Sequence, residues 1–137
     1  MATTLSATAV ITPSPTPYIP VMEVVEPARE VVAEKEVEPN LEQEAWLAKL
    51  EQCESGGRTT VKVLDTNGKY SYGRYQFQAQ TWLSYGKQYG LVASSTNQVE
   101  PLIFDGELQK QIAHKMLADG GRDHWFNCSR PLGKYPR

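Results

Sequence analysis

Apolar positions recur at helical spacing soon after residue 40. Trp46, Leu47, Leu50 and Cys53 fall on one face, while Glu42, Glu44, Lys49 and Glu51 fall largely elsewhere. Asn40, with Gln43 three positions on, is a capping-box pattern that starts this helix, and Gly56-Gly57 stops it. From Thr59 to Leu64 the chain is β-branched and roughly alternating. Asp65-Thr66-Asn67-Gly68 is a turn signal, and Lys69 to Tyr72 returns, which predicts a hairpin. Helical spacing resumes from Gln78 to Tyr89 with Trp82, Tyr85 and Tyr89, and Gly90 closes it. Residues 91–104 read as a loop. Asp105 then caps a last long helix in which Leu108, Ile112, Met116 and Leu117 share a face, and Gly120-Gly121 ends it. Trp125 to Gly133 reads as coil, with Trp125 and Phe126 as apolar anchors. Three helices and one hairpin over residues 41–137 predict a small α+β domain.

The first forty residues have a different pattern. Thr-Pro-Ser-Pro-Thr-Pro at 12–17 favours extended chain, and from Glu23 to Glu38 valine and glutamate alternate loosely around Pro27. Too few large apolar groups are present to offset the entropy of ordering, so residues 1–40 are expected to be a disordered tether. That segment holds six glutamates against Arg29 and Lys35. The whole chain has 14 basic and 16 acidic side chains and a net charge of −2, so residues 41–137 keep ten acids and twelve bases, a net +2. So small an excess is no nucleic-acid footprint. The sequence has no apolar run long enough to span a membrane, and no export leader is legible between Met1 and Pro20. Two cysteines, an even count in a small domain, fit a disulfide and an oxidising compartment. A zinc set of Cys53, Cys128, His114 and His124 matches no compact structural zinc spacing, and His114 falls on the polar side of its helix.

Two stretches carry candidate chemistry. Glu54 lies one turn after Leu50 at the end of the first helix, bordering the buried face, where desolvation favours the protonated carboxyl. The negative end of the helix dipole pushes the same way. A carboxylic acid with a raised pKa can protonate the leaving oxygen of a glycosidic bond near neutral pH. The second stretch is Ser71 to Phe77. Gly73 allows close backbone approach to a ligand, and Gln76 offers both a donor and an acceptor, which the amide of an N-acetyl sugar needs. Tyr72 and Tyr75 are candidates for a sugar platform, whereas Phe77 and Trp82 suit the core. Together these residues suggest the walls of one polysaccharide-cleaving cleft.

Cys53-Glu54-Ser55-Gly56-Gly57, Tyr72-Gly73-Arg74-Tyr75-Gln76-Phe77, Thr81-Trp82 and Trp125-Phe126-Asn127-Cys128-Ser129 stand in the order found in the catalytic domain of resuscitation-promoting factors, which this chain resembles from about residue 44 to 133. The resemblance implies a lysozyme-like fold and a secreted enzyme that cleaves the β-1,4 bond between N-acetylmuramic acid and N-acetylglucosamine in peptidoglycan. It implies that Glu54 is the catalytic acid, that Gln76 and Thr81 are cleft positions and that Cys53 pairs with Cys128. It calls for no metal and no cofactor, fits a monomer at the cell wall, and admits a partner cell-wall hydrolase. Three departures stand out. Gln78 replaces a common Ser or Thr, Arg74 replaces a common Gly, and the hairpin around Lys62 to Lys69 is longer.

Hydrolysis by two carboxylates needs a second acid, and Asp65 is the nearest candidate, although a turn-forming role beside Asn67-Gly68 also accounts for it. Without it, a substrate group must do that work, as in lytic transglycosylation, which leaves a 1,6-anhydro end. The competing reading is a non-catalytic peptidoglycan-binding module, which would share the cleft but not require Glu54 in an apolar setting.

Overall fold

The structure is a computed structural model and describes residues 38–137. The tether expected over 1–40 lies outside the described residues except for 38–40. Helix α1 (Leu41–Ser55) begins with the capping box read from the sequence: the Gln43 amide donates to Asn40 Oδ1 and the Asn40 amide donates to Gln43 Oε1, each at 2.8 Å. A side-chain N-cap of this kind stabilises a helix by about 1 kcal/mol. The helix ends on Gly56 in the left-handed region at φ 68°, with its N–H on Gln52 O at 3.0 Å. Glycine adopts that conformation without the steric cost a side chain would add.

A three-stranded antiparallel sheet follows in the order β1 (Lys62–Leu64), β2 (Tyr70–Tyr72), β3 (Phe77–Gln78). Val63 faces Ser71, and Tyr72 faces Phe77. The expected hairpin is β1–β2, but its first strand is half the predicted length. All three β1 residues are exposed, so no core contact draws Thr59 and Thr60 into the ladder. The third strand arises because a tight turn at Gly73–Gln76 folds the chain straight back, with Gln76 N on Gly73 O at 3.1 Å.

Helix α2 (Ala79–Gln88) and helix α3 (Gly106–Ala118) complete the predicted helices. Asp105 caps α3 as read, its Oδ1 accepting the Glu107 and Leu108 amides at 3.1 Å. Ile112, Ala113, Met116 and Leu117 of α3 pack with Trp46, Leu47 and Leu50 of α1 and with Phe77, Trp82 and Trp125. Each of the Leu, Ile, Met and Phe side chains among them contributes roughly 1.5–3 kcal/mol of burial. The segment read as coil instead forms helical turns: a 3₁₀ turn (Arg122–Trp125), the one-turn helix α4 (Phe126–Ser129) and another 3₁₀ turn (Arg130–Leu132). Local apolar periodicity is too short there to announce a helix; packing of Trp125 and the bond at Cys128 impose it. His114, read as lying on a polar face, is buried, with Nδ1 2.7 Å from the Tyr135 hydroxyl. No helix among the described residues is long and apolar enough to cross a membrane.

Candidate active site

Glu54 stands on the last turn of α1, and both its chain neighbours are tied down. Cys53 is bonded to Cys128, with Cα atoms 5.8 Å apart across 75 residues of sequence. Closing a loop of that length restricts the unfolded chain by about 4 kcal/mol in the chain-entropy description. The bond takes both sulfurs out of the alternative zinc set. On the other side, Ser55 is buried. Its hydroxyl donates to Arg74 O at 2.8 Å and accepts from the Gly57 amide at 3.1 Å. The helix end is thus fastened to the β2–β3 turn on one side and to the C-terminal segment on the other.

Between these elements lies an open cleft of about 530 Å³, lined by Glu54, Asp65, Ser71, residues 76–78, Thr81 and residues 123–128. Glu54 is half-buried in it. Burial, first, and the negative charge of Asp65, second, raise its carboxyl from 4.5 to about 7. Among the described residues no hydrogen bond to the carboxylate offsets that desolvation. A carboxylic acid of this kind keeps a substantial protonated fraction near neutral pH and can deliver that proton.

Asp65 forms its turn and lines the cleft as well. Its backbone carbonyl accepts from the Gly68 amide at 3.0 Å. Its side-chain Oδ2 accepts from the Ser71 hydroxyl and from Gln78 Nε2, the latter at 2.8 Å. Both bonds fall on one oxygen, so Oδ1 keeps acceptor capacity for a substrate hydroxyl or a water. The Gln78 that departs from the resemblance therefore orients this carboxylate.

Gln76 and Thr81 line the cleft. Gln76 sits at φ 51°, an uncommon conformation for a side-chain-bearing residue, and its Nε2 donates to Gly73 O at 3.0 Å. One N–H of that amide is engaged, which leaves the second N–H and the carbonyl oxygen for a ligand. Tyr72, Gly73 and Tyr75 are placed elsewhere. Tyr75 is fully buried, its hydroxyl donating to Glu51 at 3.0 Å, and Tyr72 is buried edge-on against Phe104. Gly73, at φ 73°, makes its close approach to Gln109, not to open space: a Cβ there would lie 2.7 Å from Gln109 Nε2. The tight turn directs these rings inward, and neither lines the cleft.

Phe126 is an exposed apolar ring in the cleft, 53% accessible, with the Arg130 guanidinium 5.0 Å from its centroid. Read as an anchor in the sequence, it is the platform candidate that the Tyr assignment missed. Gln109 was missed as well. It is fully buried on α3, accepts from Tyr75 N at 2.8 Å and donates to Tyr72 O at 2.8 Å and Ile103 O at 2.7 Å. A polar residue at i−3 from Ile112, on an apolar face, was the available signal. Trp125 Nε1 donates to Tyr75 O at 2.8 Å, so the β2–β3 turn is pinned from two sides. No group of three or more metal-ligating side chains is assembled among the described residues.

The chain is similar over 82 residues to resuscitation-promoting factor RpfC of Mycobacterium tuberculosis (strain ATCC 35801 / TMC 107 / Erdman), at 34% identity, covering 60% of this chain and 49% of that protein. The match therefore spans about half the length of that relative. No solved structure matches the chain. Residues 41–128, which include Glu54, both cysteines and every cleft wall, match the family described as transglycosylase-like domain. The chain belongs to the transglycosylase-like family.

Proposed function

We propose that this protein cleaves the glycan strand of peptidoglycan at the β-1,4 bond between N-acetylmuramic acid and N-acetylglucosamine, with Glu54 as general acid. The observation that carries the reading is Glu54 itself: a half-buried carboxyl, raised to about 7, facing an open cleft without a hydrogen-bond partner among the described residues. A merely structural carboxylate gains nothing from that placement, which also weighs against a binding module that lacks catalysis.

Protonated Glu54 donates to the bridging oxygen as the bond to the muramic C1 breaks. The C6 hydroxyl of the same sugar closes on C1 and returns its proton to Glu54, leaving a 1,6-anhydro end and consuming no water. Asp65 keeps Glu54 protonated through its charge and steadies the positive character that develops at C1, with Ser71 and Gln78 fixing its orientation. Phe126 offers a face to a sugar ring, and the Gln76 carbonyl accepts from an N-acetyl N–H. The family and the disulfide support a site of action outside the cell, at the wall, and the domain is read as a monomer over residues 41–137. A partner cell-wall hydrolase is compatible with this reading.

Mass spectrometry of muropeptides released from purified peptidoglycan tests it. Anhydro-muramic ends are expected from the wild type and none from Glu54→Gln. Reducing ends would assign Asp65 the task of activating water. Retained protein with no soluble product would make the domain a binding module.

A further inference from the structure

A second cavity, about 370 Å³, continues the cleft past His124. It is lined by Tyr85 and Gln88 of α2, by Tyr89 at its C-cap, by Asp119 at the end of α3, and by Asp123 and His124, which also line the catalytic cleft. The two cavities share a second wall too. Thr81 in the cleft and Tyr85 and Tyr89 in the second cavity are spaced by four along α2 and its helical C-cap, so they follow one helix face. That row runs about 12 Å at 1.5 Å per residue. Across it stands the segment 119–128. The two cavities thus adjoin at Asp123 and His124, between the α2 row on one side and the C-terminal segment on the other.

The lining chemistry is specific. The Tyr85 and Tyr89 rings lie 6.0 Å apart at 30°, giving a broad aromatic surface. The Tyr89 hydroxyl donates to Asp119 Oδ2 at 3.0 Å, and the Tyr85 hydroxyl is 3.3 Å from His124 Nε2. Each contact fixes a planar polar group at the edge of an aromatic face. Flat aromatic carbon beside carboxylate, amide and imidazole groups suits a pyranose ring, which presents C–H groups on its face and hydroxyls on its rim. Tyr89 gives up solvation to keep this arrangement: burial, first, and the Asp119 contact, second, push its phenol well above the ordinary tyrosine range.

We infer that the groove beyond His124 is a glycan subsite, lined by Tyr85, Gln88, Tyr89 and Asp119, which binds sugar rings of the same strand that is cut at Glu54. This rests on the proposed function, since a linear polymer crossing the catalytic cleft must leave it along one of its open ends. It adds a preference for long strands that the catalytic cleft alone would not have.

The test uses the full chain carrying Glu54→Gln, which binds without cutting, titrated by tryptophan fluorescence with peptidoglycan tetrasaccharide and octasaccharide. The octasaccharide is expected to bind about tenfold more tightly, the scale of one aromatic contact. Tyr89→Leu, which keeps apolar bulk, and Gln88→Ala, at an exposed position, should each reduce that length advantage while leaving tetrasaccharide affinity unchanged. Matched thermal melts show that the fold is intact. Equal affinity for both lengths, or a length advantage that survives both variants, would overturn the subsite. If wild-type protein also releases no fragments from peptidoglycan, the proposed function falls with it; if cleavage persists, only the subsite does.

Discussion

Replacing Glu54 by Gln should remove cleavage and stabilise the fold at the same time, in a pH-dependent way. The carboxyl is raised from 4.5 to about 7, first by burial and then by Asp65. Between those two pH values the native state binds a proton that the unfolded chain has released. Folding stability therefore falls as pH rises from about 4.5 to about 7, and stays low above it. A tenfold change in proton affinity is worth about 1.36 kcal/mol, so a fully desolvated carboxyl raised this far would cost about 3.4 kcal/mol. The cleft is open and Glu54 is only half-buried, so solvent screening reduces this to about 1–2 kcal/mol. Gln carries no charge and avoids the penalty. Urea unfolding at pH 8 should show Glu54→Gln more stable by about 1–2 kcal/mol, or about 5–10 °C in thermal midpoint for a domain of this size. At pH 4 the two proteins should coincide. A variant equal to or weaker than wild type at pH 8, with the difference unchanged at pH 4, would refute the reasoning, because it would mean the carboxyl is not held against a desolvation penalty.

Three further outcomes are expected. The wild-type pH–rate profile should be high below about pH 7 and fall as pH rises through it, because the acid must be protonated; Asp65→Asn should move that fall to lower pH by removing the second influence that raises Glu54, and an unmoved limb would dissociate Asp65 from Glu54. Gln109→Met should cost about 3 kcal/mol in urea unfolding, since it strands Tyr75 N, Tyr72 O and Ile103 O without a buried partner, and a cost below about 1 kcal/mol would show that the turn does not depend on it. Cys53→Ser with Cys128→Ser should lower stability by about 4 kcal/mol and reduce cleavage further than stability alone explains, as the residue next to Glu54 loses its cross-link to the C-terminal segment; full activity at a temperature where the variant is folded would separate the bond from the site.

The sequence determined what is local. The capping box at Asn40, the left-handed stop at Gly56, the Asp105 cap and the positions of the three main helices follow from spacing and from residue types with one dominant use. The hairpin and the position of Glu54 at a helix end beside apolar residues follow from the same rules, and its proton-holding character could be argued from them. The tertiary structure decided everything that depends on direction across the chain. Tyr72 and Tyr75 were as plausible in a cleft as in a core; the turn at Gly73–Gln76, held by Gln109 and Trp125, sends them inward. Phe126 looked like an anchor, yet one helical turn imposed by the Cys128 bond leaves its ring in the cleft. Asp65 read as a turn residue and as a candidate second acid; it forms the turn, and that its charge also reaches the Glu54 carboxyl depends on how the hairpin leans over the end of α1. A residue's helix or strand is set by its neighbours in sequence, whereas the face it shows and the charge it meets are set by contacts far along the chain, such as Trp125 on Tyr75, which no local pattern encodes.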